Sequence, residues 1–130
     1  NPMNLPNSNY QNKTYDLEER TALFAESIID FVKKTIISPI NRRIIEQLVG
    51  SSGSIGANYC EANESESKKD FIHKMTIAKK EIKETKHWIR LLARTDTELE
   101  TGARTLWREA HELLLIFSKI IHSSKNKNEN

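Results

Sequence analysis

A single cysteine, Cys60, stands among the 130 residues of the chain. One thiol excludes an internal disulfide framework, and no Cys/His pairs fall at zinc-ligand spacing, so a reducing cytoplasm is the expected location. No apolar run approaches the roughly 18 residues that a membrane span needs. The first residues are polar and Asn-rich, without the apolar core of a secretory leader, and no membrane partner is expected. Charge of one sign is also lacking: 20 Lys/Arg against 18 Asp/Glu give a net charge of +2. That balance by itself does not argue for nucleic acid; only its distribution can. The glycines form neither a phosphate loop nor a dinucleotide pattern, and no serine or cysteine has a recognisable base and orienter. Glu84 and His87 form one Glu-x-x-His, the motif that di-iron bundles use twice. A second copy is missing, because His111 and Glu112 have the wrong spacing. The expectation is a non-enzyme with no catalytic residues, no metal, no cofactor and no small-molecule substrate.

Glycine and proline are scarce too, with four and three, and helix-forming stretches run long between them. Residues 1–15 show no periodicity and are expected to form a disordered arm. Asp16, with Glu19 three places on, is a plausible helix start. From there Leu17, Thr21, Phe24, Ile28, Phe31 and Thr35 trace one stripe, which Ala25, Ile29, Val32 and Ile36 widen. Pro39 punctuates. A second helix is expected over about 40–62, with Ile44, Leu48, Ile55 and Tyr59 on its apolar side. Its middle, GSSGSIGANYC, is unusual, since each glycine weakens a helix by about 1 kcal/mol relative to alanine. Propensity alone reads a loop there. The competing reading, which we favour, is a helix whose small residues let a neighbouring backbone come close.

Ser67, with Asp70 three places on, can cap a third helix. Within it Phe71, Met75, Ala78, Ile82, Thr85, Ile89 and Leu92 alternate at spacings of four and three, an amphipathic seam of about three heptads. Asp96 or Thr97 can start a fourth helix, in which Leu99, Ala103, Leu106, Ala110, Leu113, Phe117 and Ile120 repeat that spacing. Residues 123–130 read as a disordered tail. Four helices with short links, over 16–122, predict an all-α, antiparallel, up-and-down four-helix bundle.

The third helix carries three faces. Opposite its seam lie His73, Thr76, Lys80, Lys83, His87, Arg90 and Arg94, with Lys79 and Lys86 flanking them and no acidic residue among them. Segment 67–94 holds nine Lys/Arg against three Asp/Glu, so the rest of the chain is net acidic and the positive charge is concentrated here. A row of like charges mildly destabilises a helix and invites a functional reading. We take Lys79, Lys80, Lys83, Lys86, Arg90 and Arg94 as candidate nucleic-acid-binding residues; a merely solvated face is the alternative. No aromatic platform lies in the row, which favours backbone recognition over base readout. The remaining flank, Lys74, Ile77, Glu81, Glu84, Trp88 and Leu91, suggests a second packing partner. Buried carboxylates must be paired or hydrogen-bonded, so a structural polar network is expected to join Asn58, Glu61, Glu81 and Glu84 with a nearby Lys or Arg; the alternative is that these glutamates reach solvent. On the fourth helix Trp107, Leu114 and Ile121 widen the seam on one side and Ile116 on the other. Leu115 falls on what should be the water face. Leu115 and Ile116 are therefore candidate oligomer-interface residues, or else that helix is deeply buried.

Arg20 in LEERTALFA, the stretch NRRIIEQLVGSSGSIGANYCEA (41–62) and the stretch SKKDFIHKMTIAKKEIKETKHWIRLL (67–92) together resemble a known family. It comprises the four-helix-bundle proteins encoded in intervening sequences of bacterial 23S ribosomal RNA genes, once called ribosomal protein S23. The resemblance covers about 16–121. It extends more distantly to the accessory variability protein of diversity-generating retroelements, a basic protein that binds nucleic acid and a reverse transcriptase. The resemblance implies an antiparallel bundle assembled into a homopentameric ring and associated with RNA. A ring would also multiply the basic row. Two functions remain open on this reading: RNA binding through the basic face, or a scaffold ring that docks an acidic protein partner.

Overall fold

A computed structural model describes residues 16–127; the expected arm over 1–15 lies outside them. Among the described residues there are four α-helices and no strand: α1, Leu17–Lys33; α2, Arg42–Asn63; α3, Lys68–Thr95; and α4, Glu100–Asn126. A single 3₁₀ turn, Thr97–Leu99, joins α3 to α4. The helix starts follow local chemistry. The Asp16 carboxylate accepts from the Glu19 amide at 3.2 Å, and the Ser67 hydroxyl from the Asp70 amide at 3.0 Å, each satisfying one of the amides that a helix start leaves free. Asp96 caps the 3₁₀ turn through the Glu98 amide. Asn41, before α2, turns its side chain backwards: Oδ1 accepts from the Ser38 amide and Nδ2 donates to the Ile36 carbonyl. This buried amide closes the link from α1 to α2 around Pro39.

Cross-helix pairs fix the direction of the helices. Between α2 and α3, Ser51 meets Thr85 and Glu61 meets Lys74. Between α1 and α4, Arg20 meets Glu109 and Phe31 meets Gly102. In α3 and α4, Lys86 meets His111, while Arg90 and Arg104 share a groove. In each pair of helices one residue number rises as the other falls, so the neighbours are antiparallel. The helix α3 packs along both α2 and α4, whereas α1 packs along α2 and touches α4 more lightly.

The core is the sum of the four stripes. Leu17, Phe24 and Ile28 of α1, Leu48 and Ile55 of α2, and Met75, Ala78, Ile82, Ile89 and Leu92 of α3 are buried, with Ala103, Ala110, Leu113 and Phe117 of α4 closing the other side. The α3 seam is buried from Met75 to Leu92, and Phe71 packs half-buried at its end. At the end of α4 Ile121 is buried and Ile120 only half-buried. An ideal helix drifts against a strict seven-residue repeat, and after three repeats the next residue has come round to the core. The same helix runs through Asn126, past the expected boundary at Ser123. The widened α1 stripe is half correct: Ala25 and Val32 are half-buried, while Ile29 and Ile36 are exposed.

The glycine-rich middle of α2 is regular helix. Its glycines serve different ends. A Cβ on Gly56 would stand 2.9 Å from Thr21 Oγ1, so close approach of α1 requires glycine there. Thr21 is itself buried and donates to the Leu17 carbonyl at 2.7 Å. Gly50 and Gly53 have nothing within 4 Å of a Cβ and lie on the exposed side of α2. Among the described residues no backbone approaches them. On the opposite side, Thr85 Oγ1 donates to Ser51 Oγ at 2.9 Å and Ser51 donates to the Leu48 carbonyl, leaving the buried hydroxyls of the α2–α3 contact satisfied.

Candidate nucleic-acid interface

Because α3 buries one stripe between α2 and α4, its opposite line is turned to solvent. Lys80, Lys83, Arg90 and Arg94 are exposed there, with His73 and His87; Lys79 is half-exposed beside them. From Lys80 to Arg94 the line extends about 21 Å at the helical rise. Ion pairs among the described residues belong to other cations: Arg20 with Glu109 and Glu112, Lys74 with Glu61, and Arg104 with Glu100. Lys79, Lys80, Lys83, Arg90 and Arg94 make none. Their charge is thus available to an external anion.

Lys86 departs from this set. It turns toward α4, where Nζ donates to His111 Nδ1 at 2.8 Å and lies 4.2 Å from the centre of the Trp107 ring. Burial, with the charge of Lys83 behind it, holds its pKa below the ordinary lysine value. Lys86 follows Lys79 by seven positions, but the α3–α4 contact captures it.

The expected polar network also breaks into separate pieces. Asn58 Nδ2 donates back to the Ser54 carbonyl within α2, and Glu61 pairs with Lys74 at 2.6 Å in an exposed bridge. Glu84 is exposed; Glu81 is half-buried one turn away, with no cation bonded to it among the described residues. Burial first, then the neighbouring Glu84 carboxylate, push the Glu81 carboxyl above the usual range. The reason is register. The small-residue face that meets α3 is tied by Ser51 and Thr85, and Lys74 lies too far toward the start of α3 to serve all four groups. The indole N–H of nearby Trp88 is buried without a hydrogen-bond partner among the described residues.

Leu115 and Ile116 separate likewise. Ile116 packs against the chain's own core, whereas Leu115 is 57% exposed on the outer side of α4. Cys60 is half-buried between α1 and α2, and burial with nearby Glu18 pushes its thiol up, away from the reactive thiolate. Glu84 and His87 both reach solvent, and among the described residues no three His, Cys, Asp or Glu side chains gather as metal ligands. No described helix is long and apolar enough to cross a membrane.

Three residues of the face escape a reading of α3 alone. Arg104, Trp107 and Arg108 of α4 line an open groove of about 410 Å³ with Arg90, Ala93 and Glu100. Arg104 is paired with Glu100 at 2.8 Å; Arg108 makes no ion pair among the described residues. The spacing Arg104–Arg108 places both on one side of α4. Only the rotation and register of α4 against α3 bring that side next to Arg90, and the heptad pattern does not set them finely enough.

Comparison with known proteins decides the lineage. The profile of the 23S rRNA-intervening sequence protein matches residues 13–119. The chain belongs to this family. A crystal structure of a protein of unknown function from the S23 ribosomal protein family of Bacteroides thetaiotaomicron is similar, with 30% identity and a TM-score of 0.69. The match covers 80% of this chain and 96% of that one. No curated protein matches. Within the 23S rRNA-intervening sequence family frame, the blocks quoted for the resemblance fall at the α1 ion pair (Arg20), the close α1–α2 approach (Gly56) and the α2–α3 hydroxyl pair (Ser51 and Thr85). Those blocks thus record how the helices pack. The last of these blocks also carries Lys79, Lys80, Lys83 and Arg90 of the basic face.

Proposed function

We propose that this protein is a non-catalytic, cytoplasmic RNA-binding bundle whose interface is the exposed α3 face continued by Arg108 of α4. The observation that carries this reading is the row of five cations without ion pairs among the described residues: Lys79, Lys80, Lys83, Arg90 and Arg94. A concentrated row on a chain of net charge +2 favours a directed anionic partner over general stickiness. The family's name ties its genes to 23S ribosomal RNA, and ribosomal RNA supplies the phosphates that such a row neutralises. Titration of 23S rRNA fragments in a filter-binding assay at two salt concentrations tests it. Five neutralised phosphates would weaken binding by roughly a few hundredfold between about 50 and 200 mM salt. Absence of binding at low salt, or binding unchanged in Lys83→Glu/Arg90→Glu, refutes the RNA reading and leaves the scaffold that docks an acidic protein.

We further propose that the outer side of α4 is a self-association surface. Leu115, exposed between the charged Arg108 and Lys119, supports this, since covering a large apolar side chain removes its surface from water. The number of copies, five, rests on the family resemblance alone.

A further inference from the structure

The α3–α4 groove combines two kinds of chemistry, guanidinium groups and an aromatic face. Trp107 is 38% exposed. His111 stacks on its ring, with centroids 5.4 Å apart and planes within 9° of parallel. Lys86 Nζ stands over the same ring and bonds His111 Nδ1 at 2.8 Å. An ammonium above the other side of the indole could not reach that nitrogen, so Lys86 and His111 cover the same face of Trp107. Both lie toward the C-terminal end of α4. The second face is turned the other way along α4, toward the groove where Arg90 of α3 and Arg104 and Arg108 of α4 stand.

We infer that this groove is a subsite for one unpaired nucleotide of a single strand: its base stacks on the free face of Trp107, and its flanking phosphates lie on Arg90 and Arg108, while Arg104 offsets Glu100. This inference rests on the RNA reading above and deepens it. Stacking on an exposed indole is tolerant of base identity, because every base has a π-face, and guanidinium forks suit phosphate oxygens. The Lys86 ammonium holds the indole from behind, so the platform is positioned before a base arrives. Glu100 also lines the groove, but its charge is already matched by Arg104. A base held in a duplex presents only its edges and cannot enter. Selectivity for unpaired segments of structured RNA follows.

The experiment uses the full chain with a short single-stranded oligoadenylate, a duplex of equal length, and adenosine monophosphate, reading affinity by competition against a labelled oligoadenylate in filter binding and stacking by tryptophan fluorescence. The single strand is expected to quench emission and to bind more tightly than the duplex at equal salt, with the mononucleotide far weaker than either. Trp88, whose indole nitrogen is buried, contributes an unchanging background. Trp107→Leu should weaken the single strand by about tenfold and leave the duplex unaffected. Trp107→Phe, which keeps a smaller stacking face and the packing against Lys86, should fall between and lose the quench. Equal affinity for strand and duplex, strand binding without a quench, or an unchanged Trp107→Leu overturns the subsite while the salt-dependent RNA reading stands. A mononucleotide that binds as tightly as the strand overturns the assignment to nucleic acid at this groove. No binding of any probe at low salt brings down both.

Discussion

Arg20 clasps Glu109 from α1 to α4 with two bonds, Nε to Oε2 at 2.7 Å and Nη2 to Oε1 at 2.9 Å, and reaches Glu112 at 2.6 Å with the same Nη2. Those two helices touch more lightly than the others, so this fork is a main polar tie across that side. The hydrogen bonds to Glu109 raise the guanidinium pKa against the opposing effect of burial, and the charge is permanent at any working pH. Arg20→Ala should destabilise the fold by about 1 kcal/mol, given that the pair is only partly shielded from solvent. A double-mutant cycle with Glu109→Gln in urea denaturation checks it. Additive losses would mean that the fork contributes nothing.

The glycines of α2 should respond in opposite directions to the same change. Gly56→Ala forces a methyl group against Thr21 Oγ1 and should cost about 1–3 kcal/mol. Gly53→Ala meets open space and should stabilise the isolated chain by about 1 kcal/mol. Thermal melts of the two variants separate these outcomes. A Gly53→Ala variant that melts lower would show that a second copy covers this side of α2.

Glu81 should weaken the fold at neutral pH. Its carboxyl is pushed up by burial and by Glu84, so the folded state holds the proton more tightly than the unfolded chain. The stabilisation from that proton is complete below the ordinary carboxylate range and is lost as pH rises through the elevated folded value. Glu81→Gln should therefore raise Tm at pH 7, and the gain should disappear on acidification below the ordinary carboxylate range. A lower Tm at pH 7 would restore the buried network expected from the sequence.

Leu115 tests assembly without touching the core. Leu115→Glu should leave the helical content intact and shift the light-scattering mass toward the 15.0 kDa single chain. A wild-type protein that already scatters as one chain, or an assembly indifferent to the change, would assign Leu115 to ordinary surface.

Much of the fold was legible because helical burial repeats. The α3 seam from Met75 to Leu92 and the α4 seam from Ala103 to Phe117 are periodic in residue type, and the same residues are buried. Helix starts at Asp16 and Ser67 were legible because capping is local chemistry within four residues. The polar pairs were not. Asn58, Glu61, Glu81 and Glu84 share the α2–α3 side of the bundle, yet a side chain's partner depends on axial register to within a few ångströms, which periodicity leaves open. The basic row survives on α3 because its exposure is the complement of the seam; Lys86 leaves it because Trp107 and His111 belong to another helix.

The sequence by itself determined the four helices, the buried seams of α3 and α4 and the concentration of positive charge on α3, since each depends on neighbours a few residues apart. Tertiary structure alone decided that Gly56 and not Gly53 is sterically required, that Lys86 turns onto Trp107 and His111, and that Arg104, Trp107 and Arg108 join Arg90 in one groove. Those outcomes follow from the rotation and register of packed helices, which are set by the fit of whole surfaces.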